Sequence, residues 1–312
     1  MVKPLPLEKA LVAINPAIIS TPRFQEVNVL LADGLLQAWN GFTSGQAPID
    51  HSYGPVLLNA RKLVTNFTGT SKLTVAEQFA TVKRGKTTVR LLKQPMDQFI
   101  MPPPIPTGKI MREEIIDAII AASKFMSENA LHLWANAVAL TDRFAAATNN
   151  QILVKVPVHS PFHLTIPKWV IDAFDRNIDT YLSYSDASIR LEYPNGVSIQ
   201  AQMIEGNMPE KMFELCDTIK LATHLVGDAK SELEDISRIG GRFIEISDGV
   251  MSCTADSGER SETETDLVGT VKMAKTTLEL VLSVATHMDF KDNVATFLDA
   301  RTGLRGIAMG VR

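Results

Sequence analysis

The chain has 312 residues, 45% of them hydrophobic and 21% charged, the make-up of a soluble globular protein long enough for two or three domains. Its formal net charge of -4, from 31 basic and 35 acidic residues, is the reverse of what a tight nucleic-acid binder uses to neutralise phosphates. Cys216 and Cys253 are the only cysteines, too few for a disulfide framework and without the spacing of a zinc site, and neither a leader nor a membrane-length apolar run is legible, so a metal-free, cytoplasmic protein is expected.

The first predicted element is an amphipathic helix over residues 7–19 (LEKALVAINPAII). A strand–turn–strand signature follows at LADGLL, with Asp33 and Gly34 at the reversal, because aspartate bonds locally to backbone and glycine accepts a positive φ. LLNARKLV, from Leu57, reads as a short strand running into a second helix, and VKRGKTTVRL as a closing hairpin turning at Gly85. The proline-rich PPPIPTG of residues 102–108 then reads as an extended linker.

The same four elements recur in the same order. A helix is predicted over residues 112–126 with Ile115, Ile116 and Ile119 on one face; LTDRFA turns at Asp142; LTIPKWVI runs from Leu164 with Pro167 in the first helical turn; LEYPNGVSIQAQM closes around Gly196. A second linker, GNMP at residues 206–209, leads into a third copy. There the helix is predicted over residues 212–226 with Leu215, Ile219 and Ala222 at helical spacing, followed by ISDGVM at Asp248, VKMAKTTL from Val271 and LDARTGLRGIAM around Gly303. Asp33, Asp142 and Asp248 are 109 and 106 residues apart, and Ala60, Pro167 and Ala274 are 107 and 107 apart. One such match arises in any α+β protein, whereas four in register point to a triplicated unit. The expected fold class is α+β, with three repeated domains at residues 1–105, 106–208 and 209–312.

Catalytic signatures are absent: there is no Gly-rich phosphate loop, no G-x-S-x-G elbow and no H-E-x-x-H. His159 and His163 are separated by Ser-Pro-Phe, which disfavours one helical face, and they read as loop residues rather than metal ligands. The acidic run at residues 256–266 (DSGERSETETD) reads as a solvated loop. Neither an enzyme nor a cofactor is expected.

The order helix, strands, helix, strands, three times over, resembles the bacterial DNA polymerase III β subunit, the three-domain sliding clamp, in a compact form like those of phages. Three segments carry the likeness. AATNNQILV at residues 146–154 stands where that family has A-T-D-G-H-R-L-A, MIEGNMPE at residues 203–210 is similar to its s-x-L-I-x-G-x-F-P-D, and GIAMGVR at residues 306–312 is similar to its V-V-M-P-M-R end. Gln151-Ile152 and Gly310 depart from the family's His-Arg and proline, which bears on the partner motif accepted.

The resemblance implies a ring-shaped processivity factor that encircles duplex DNA by topology, which removes the objection from net charge. The repeat helices would line a pore and the antiparallel sheets would lie outside it, with a head-to-tail homodimer joined through edge strands of domains 1 and 3. Basic residues on the predicted helices are Lys9, Lys124 and Lys220 in the first set and Arg61, Lys62, Lys168, Arg176 and Lys275 in the second. Singly each reads as a solvated surface residue; as a recurring set they fit a pore. The implied pocket for polymerase and clamp-loader peptides comprises Thr148, Asn150, Gln151, Ile152, Leu153, Pro209, Val294, Ile307, Met309, Val311 and Arg312. Ile152, Leu153 and Ile307 read equally as core strand residues. Three rival readings stay open: a trimeric or non-ring processivity subunit of the same domain type, an α+β enzyme whose site is not legible, and a structural repeat protein with no DNA role.

Overall fold

The computed structural model describes residues 3–21, 25–51, 53–106, 108–127, 130–174, 178–203 and 206–311. The first repeat runs α1 (Leu7–Ala13), α2 (Asn15–Ile18), β1 (Asn28–Ala32), β2 (Leu35–Trp39), β3 (Thr43–Pro48), β4 (Val56–Asn59), α3 (Ala60–Asn66), β5 (Lys72–Val75), β6 (Phe79–Arg84) and β7 (Thr87–Gln94). The second runs β8 (Lys109–Met111), α4 (Glu113–Ser123), β9 (Ala137–Leu140), β10 (Phe144–Thr148), β11 (Ile152–Pro157), β12 (Leu164–Pro167), α5 (Lys168–Asp172), β13 (Thr180–Tyr184), β14 (Ser188–Glu192) and β15 (Ser198–Gln202). The third runs α6 (Glu210–Thr218), α7 (Ala229–Ile236), β16 (Phe243–Ser247), β17 (Val250–Thr254), β18 (Arg260–Glu264), β19 (Val271–Ala274), α8 (Lys275–Leu282), β20 (His287–Lys291), β21 (Val294–Asp299) and β22 (Leu304–Met309). The class is α+β, and every paired strand is antiparallel to its neighbour. No helix among the described residues is long and apolar enough to cross a membrane.

Packing divides the chain into two compact units: Met1–Arg112 with Ala173–Met203, and Glu113–Asp172 with Ile204–Arg312. The first unit is built on one sheet in the order β5-β6-β7-β4-β1-β2-β3-β15-β14-β13-β8. Strands of two repeats meet where β3 pairs β15, with Gln46 opposite Ser198 and Ser44 opposite Gln200. Its core joins Leu7, Ile14, Val29, Leu31, Leu36, Leu58 and Leu63 with Tyr193 of the second repeat. α2 lies so close on the sheet that a Cβ at Gly45 would stand 2.7 Å from Ile14 Cβ, so glycine is required there.

The second unit has a seven-stranded sheet, β12-β9-β10-β11-β22-β21-β20, and a four-stranded one, β18-β17-β16-β19. In the larger sheet β11 pairs β22, with Leu153 opposite Ile307. α4 covers one face of β9–β11 with buried Ile115 and Ile119, and Phe125 just beyond it meets Phe297 at 5.7 Å between ring centroids. The opposite face receives α6, through Met212, Phe213 and Cys216 against Phe144, Ala146 and Leu153. α7 packs on β17, β18 and α8.

The repeat pattern holds in its turns and strand-to-helix passages. Asp33-Gly34 and Asp248-Gly249 all have positive φ and close two-residue hairpins, as their spacing predicts. Gly85, Gly196 and Gly303 likewise have positive φ in the closing hairpins. β4, β12 and β19 each run straight into a helix at Ala60, Pro167–Lys168 and Ala274–Lys275.

Several predicted elements differ. The helix over residues 7–19 breaks at Ile14, because Pro16 has no N–H to continue the ladder. At Asp142 the reversal is wider than two residues, and Thr141 Oγ1 accepts the N–H groups of Arg143 at 3.2 Å and Phe144 at 3.0 Å. Pro167 is the last residue of β12 rather than part of a helical turn. The helix over residues 212–226 ends at Thr218, since the following segment is captured by the edge of β20: Met288 N–H donates to His224 O at 2.8 Å and Val226 N–H to Thr286 O at 3.1 Å. The third copy of the repeat helix is instead α7, the element that packs on its own repeat's hairpin as α4 does. Within the acidic run, Arg260–Glu264 is strand β18 and not a loop; alternate side chains tuck against β17 while the acids face out.

Candidate functional site

The residues predicted for a peptide pocket all belong to the second unit. Asn149 Oδ1 accepts from the N–H groups of Gln151 at 3.1 Å and Ile152 at 2.8 Å, and Thr148 Oγ1 donates to Ile152 O at 2.7 Å, so side chains fold the β10–β11 loop on itself. Asn150, in this loop, takes a φ of 72°. Gln151 ties the loop outward: its carbonyl accepts from Met309 N–H at 2.9 Å, and its Oε1 accepts from Thr277 Oγ1 on α8 at 2.8 Å.

Strand alternation sorts the remaining residues. Thr148, Leu153 and Ile307 are opposed across β10, β11 and β22 and so share the α6 face, and Val294 and Met309 are opposed across β21 and β22. Met309 is 54% exposed. Ile152, one residue on from Gln151, turns to the α4 face and is fully buried, so it belongs to the core and not to this surface. Pro209 caps the start of α6, and Val311 N–H donates to Lys272 O at 2.7 Å. Arg312 and Arg176 lie outside the described residues.

Residue-by-residue reading missed Trp134, Met212 and Phe213, which are partly buried against the cluster containing Leu153 and Cys216. For the two on α6 the signal was spacing: Met212 stands four residues and Phe213 three residues before Cys216, one face of a helix whose charged residues face out. Burial pushes the Cys216 thiol up to about 12, against the lowering pull of Lys155 and with a further push from Asp217. Asp217 lies 3.9 Å from Lys155 and 3.4 Å from Arg143, giving the surface a charged rim. Such an arrangement offers apolar contact area, with polar groups already bonded within the protein, and suits docking rather than bond-breaking chemistry.

The predicted basic residues are spread over both units. In the first, Lys9 is on α1, and Arg61 and Lys62 are exposed on α3 beside a cavity of about 620 Å³ also lined by Ile18 and Val27. In the second, Lys168 opens α5 and bonds Asp172 at 2.8 Å, and Lys275 opens α8 with Glu279 at 3.7 Å. Lys124 stands one residue past the end of α4 and Lys220 two past the end of α6, so neither is helical. The exposed base on the true third repeat helix is Lys230.

No protein-family model matches the sequence, and no curated protein matches it. Solved structures do. The chain is similar to the DNA polymerase III subunit beta from Pseudomonas aeruginosa at a TM-score of 0.78 and 15% identity, covering 98% of each chain. It is similar at 0.78 and 15% to a sliding clamp from Bartonella birtlesii bound to griselimycin, covering 98% of this chain and 97% of that one. The beta subunit from Streptococcus pyogenes gives 0.75 at 17% identity, with 98% and 97% covered. The fold is that of the sliding clamps.

Proposed function

We propose that the protein is a DNA sliding clamp: a non-catalytic, ring-shaped processivity factor that encircles duplex DNA and tethers a replicative polymerase. The carrying observation is a likeness to bacterial clamps that runs over 98% of the chain. On this reading the three repeats at residues 1–105, 106–208 and 209–312 are clamp domains. Lys9, Arg61, Lys62, Lys168 and Lys275 on the repeat helices, with Lys124 just past the end of α4 and Lys230 of α7 in place of Lys220, supply positive charge to the pore, where modest counterion release balances confinement without fixed base contacts. A clamp loader opens the ring, and polymerase peptides dock on the surface around Leu153, Ile307 and Met309.

Ring closure by a head-to-tail homodimer is supported by two of the open sheet edges, one in the first repeat and one in the third. On the side of β7 away from β6, only Lys93 and Gln94 are paired, with β4. Strands β5–β7 carry Lys72, Lys83, Arg84, Arg90 and Lys93 and no acid. β18, paired only with β17 among the described residues, presents Glu262 and Glu264 with Arg260, which is ion-paired to Glu262, so its exposed face carries a net negative charge. Unpaired edges of opposite charge are complementary between copies, and their burial would remove an aggregation liability.

Sedimentation at rising salt tests the dimer: dissociation as screening increases is expected, and a salt-independent monomer or trimer would sink it. Retention on nicked circular DNA tests the pore. Converting Lys124, Lys168, Lys230 and Lys275 to glutamate is expected to abolish retention while leaving the oligomer intact; unchanged retention would refute the assignment.

A further inference from the structure

We propose that Asn293 is the positioning residue of the carboxyl-terminal arm, residues 309–311, and that it holds the arm so that Met309 is presented to an incoming peptide. The second half rests on the docking surface proposed above; the first stands on geometry alone.

Every described backbone N–H of the arm is held. Met309 donates to Gln151 O at 2.9 Å, Gly310 to Asn293 O at 2.8 Å and Val311 to Lys272 O at 2.7 Å. The Asn293 carboxamide completes the clip: Nδ2 donates to Val311 O at 3.0 Å, and Oδ1 accepts from Lys272 N–H at 2.9 Å. One residue thus joins β19, the β20–β21 turn and the arm. It does so from a left-handed conformation, φ 60°, beside Asp292 at φ 53°, in the two-residue turn closed by Lys291 opposite Val294. Asparagine tolerates this region better than most residues.

The clip explains the glycine at 310. A Cβ there would stand 2.3 Å from Asn293 Oδ1 and 2.5 Å from its Cγ, so the carboxamide occupies the space that any side chain would need. Where the clamp family has a proline, whose ring restricts the backbone, this chain has its most permissive residue and restrains it by hydrogen bonds. Freed from the clip, the arm would have to be ordered at each docking event, and that entropy would be charged against affinity.

The test uses the full-length chain and three substitutions. Asn293→Gly keeps the left-handed turn and deletes the carboxamide, Asn293→Asp keeps the shape and the acceptor but loses the donor to Val311, and Gly310→Ala inserts the Cβ. Hydrogen–deuterium exchange is followed at residues 309–311, with residues 304–306 of the same strand as reference. Asn293→Gly is expected to speed arm exchange about tenfold with the reference unchanged. Asn293→Asp, which sets a carboxylate oxygen against Val311 O, should be at least as fast as Asn293→Gly, Gly310→Ala should match Asn293→Gly, and the double variant of Asn293→Gly with Gly310→Ala should be no faster than either, since the vacated space accepts the Cβ. Unchanged arm exchange in Asn293→Gly would overturn the positioning role. Griselimycin, the ligand named for a neighbouring clamp, is the probe of presentation, with its seat on this chain read from exchange protection around Leu153, Ile307 and Met309: a Kd raised about tenfold in Asn293→Gly, with DNA retention unchanged, is expected. A loosened arm with unaltered Kd would overturn presentation, and failure of the unsubstituted chain to bind griselimycin would count against the docking surface, leaving the exchange result to decide the arm.

Discussion

Where the first repeat meets the second, β3 pairs β15; where the second meets the third, β11 pairs β22, in the same antiparallel sense. Each joint is crossed by the segment that connects its repeats, on the face away from the repeat helix. At the first joint this is an extended strap. Gln200 reads its backbone twice, with Oε1 accepting from Ile105 N–H and Nε2 donating to Pro103 O, both at 3.0 Å, and Arg190 donates to Ile105 O at 2.6 Å. At the second joint it is α6, seated by Met212, Phe213 and Cys216. A strap pinned by polar side chains satisfies its own backbone and leaves a polar surface of Gln37, Gln46 and Ser198. A helix seated by apolar side chains leaves part of that apolar area at the surface. Equivalent joints thereby differ in character: the first is closed by polar side chains, and the second by apolar ones that remain partly exposed.

Deleting a ring at the second joint should have the largest effect. Phe144→Ala removes a buried side chain that meets Phe213 at 6.1 Å, and a loss of about 3–5 kcal/mol is expected in urea unfolding followed through the second unit. At the first joint, Gln200→Ala should cost less, about 0.5–1.5 kcal/mol per bond, because the strap's backbone returns to water. It should appear mainly as faster proteolysis at residues 101–106, and an effect as large as that of Phe144→Ala would erase the contrast between the joints.

A smaller, pH-dependent difference belongs to the second unit. Burial pushes the Asp299 carboxyl up, but hydrogen bonds from Arg301 and Thr302 with the Arg301 charge outweigh it, holding it below the ordinary 3.8. Asp289 is held below 3.8 in the same way by bonds from His224 and Thr223. Carboxyls depressed in the folded state contribute stability that is present above 3.8 and lost as the pH falls through their lower folded values. Acid titration of Asp299→Asn should therefore show a shallower decline than the parent chain. The smallest effect is diagnostic only: with its thiol pushed up to about 12, Cys216 should resist alkylation until α6 lifts, so its labelling rate reports opening of the second joint alone.

Much of this is legible in the amino-acid sequence. Asp-Gly at 33–34 and 248–249 and glycine at 85, 196 and 303 demand particular backbone conformations wherever they occur, and the structure uses them so. The third repeat helix was harder, because residues 212–226 are apolar at helical spacing while half of α7 is charged. Ala229, Leu233 and Ile236, all buried, were the available signal. Of the candidate site, Leu153, Ile307 and Met309 could be named, but that Ile152 faces the other way depends on register, which alternates sides at every residue.

Sequence alone therefore determined the α+β class, the three-fold recurrence and the turns, since these depend on local backbone chemistry and on periodicity over a few residues. Tertiary structure decided which strands of different repeats pair, that the two units cut through the second repeat, that the strap is polar and α6 apolar, and that Asn293 closes over Gly310. Those outcomes depend on side chains distant in sequence competing for one surface, and no local pattern encodes the result of that competition.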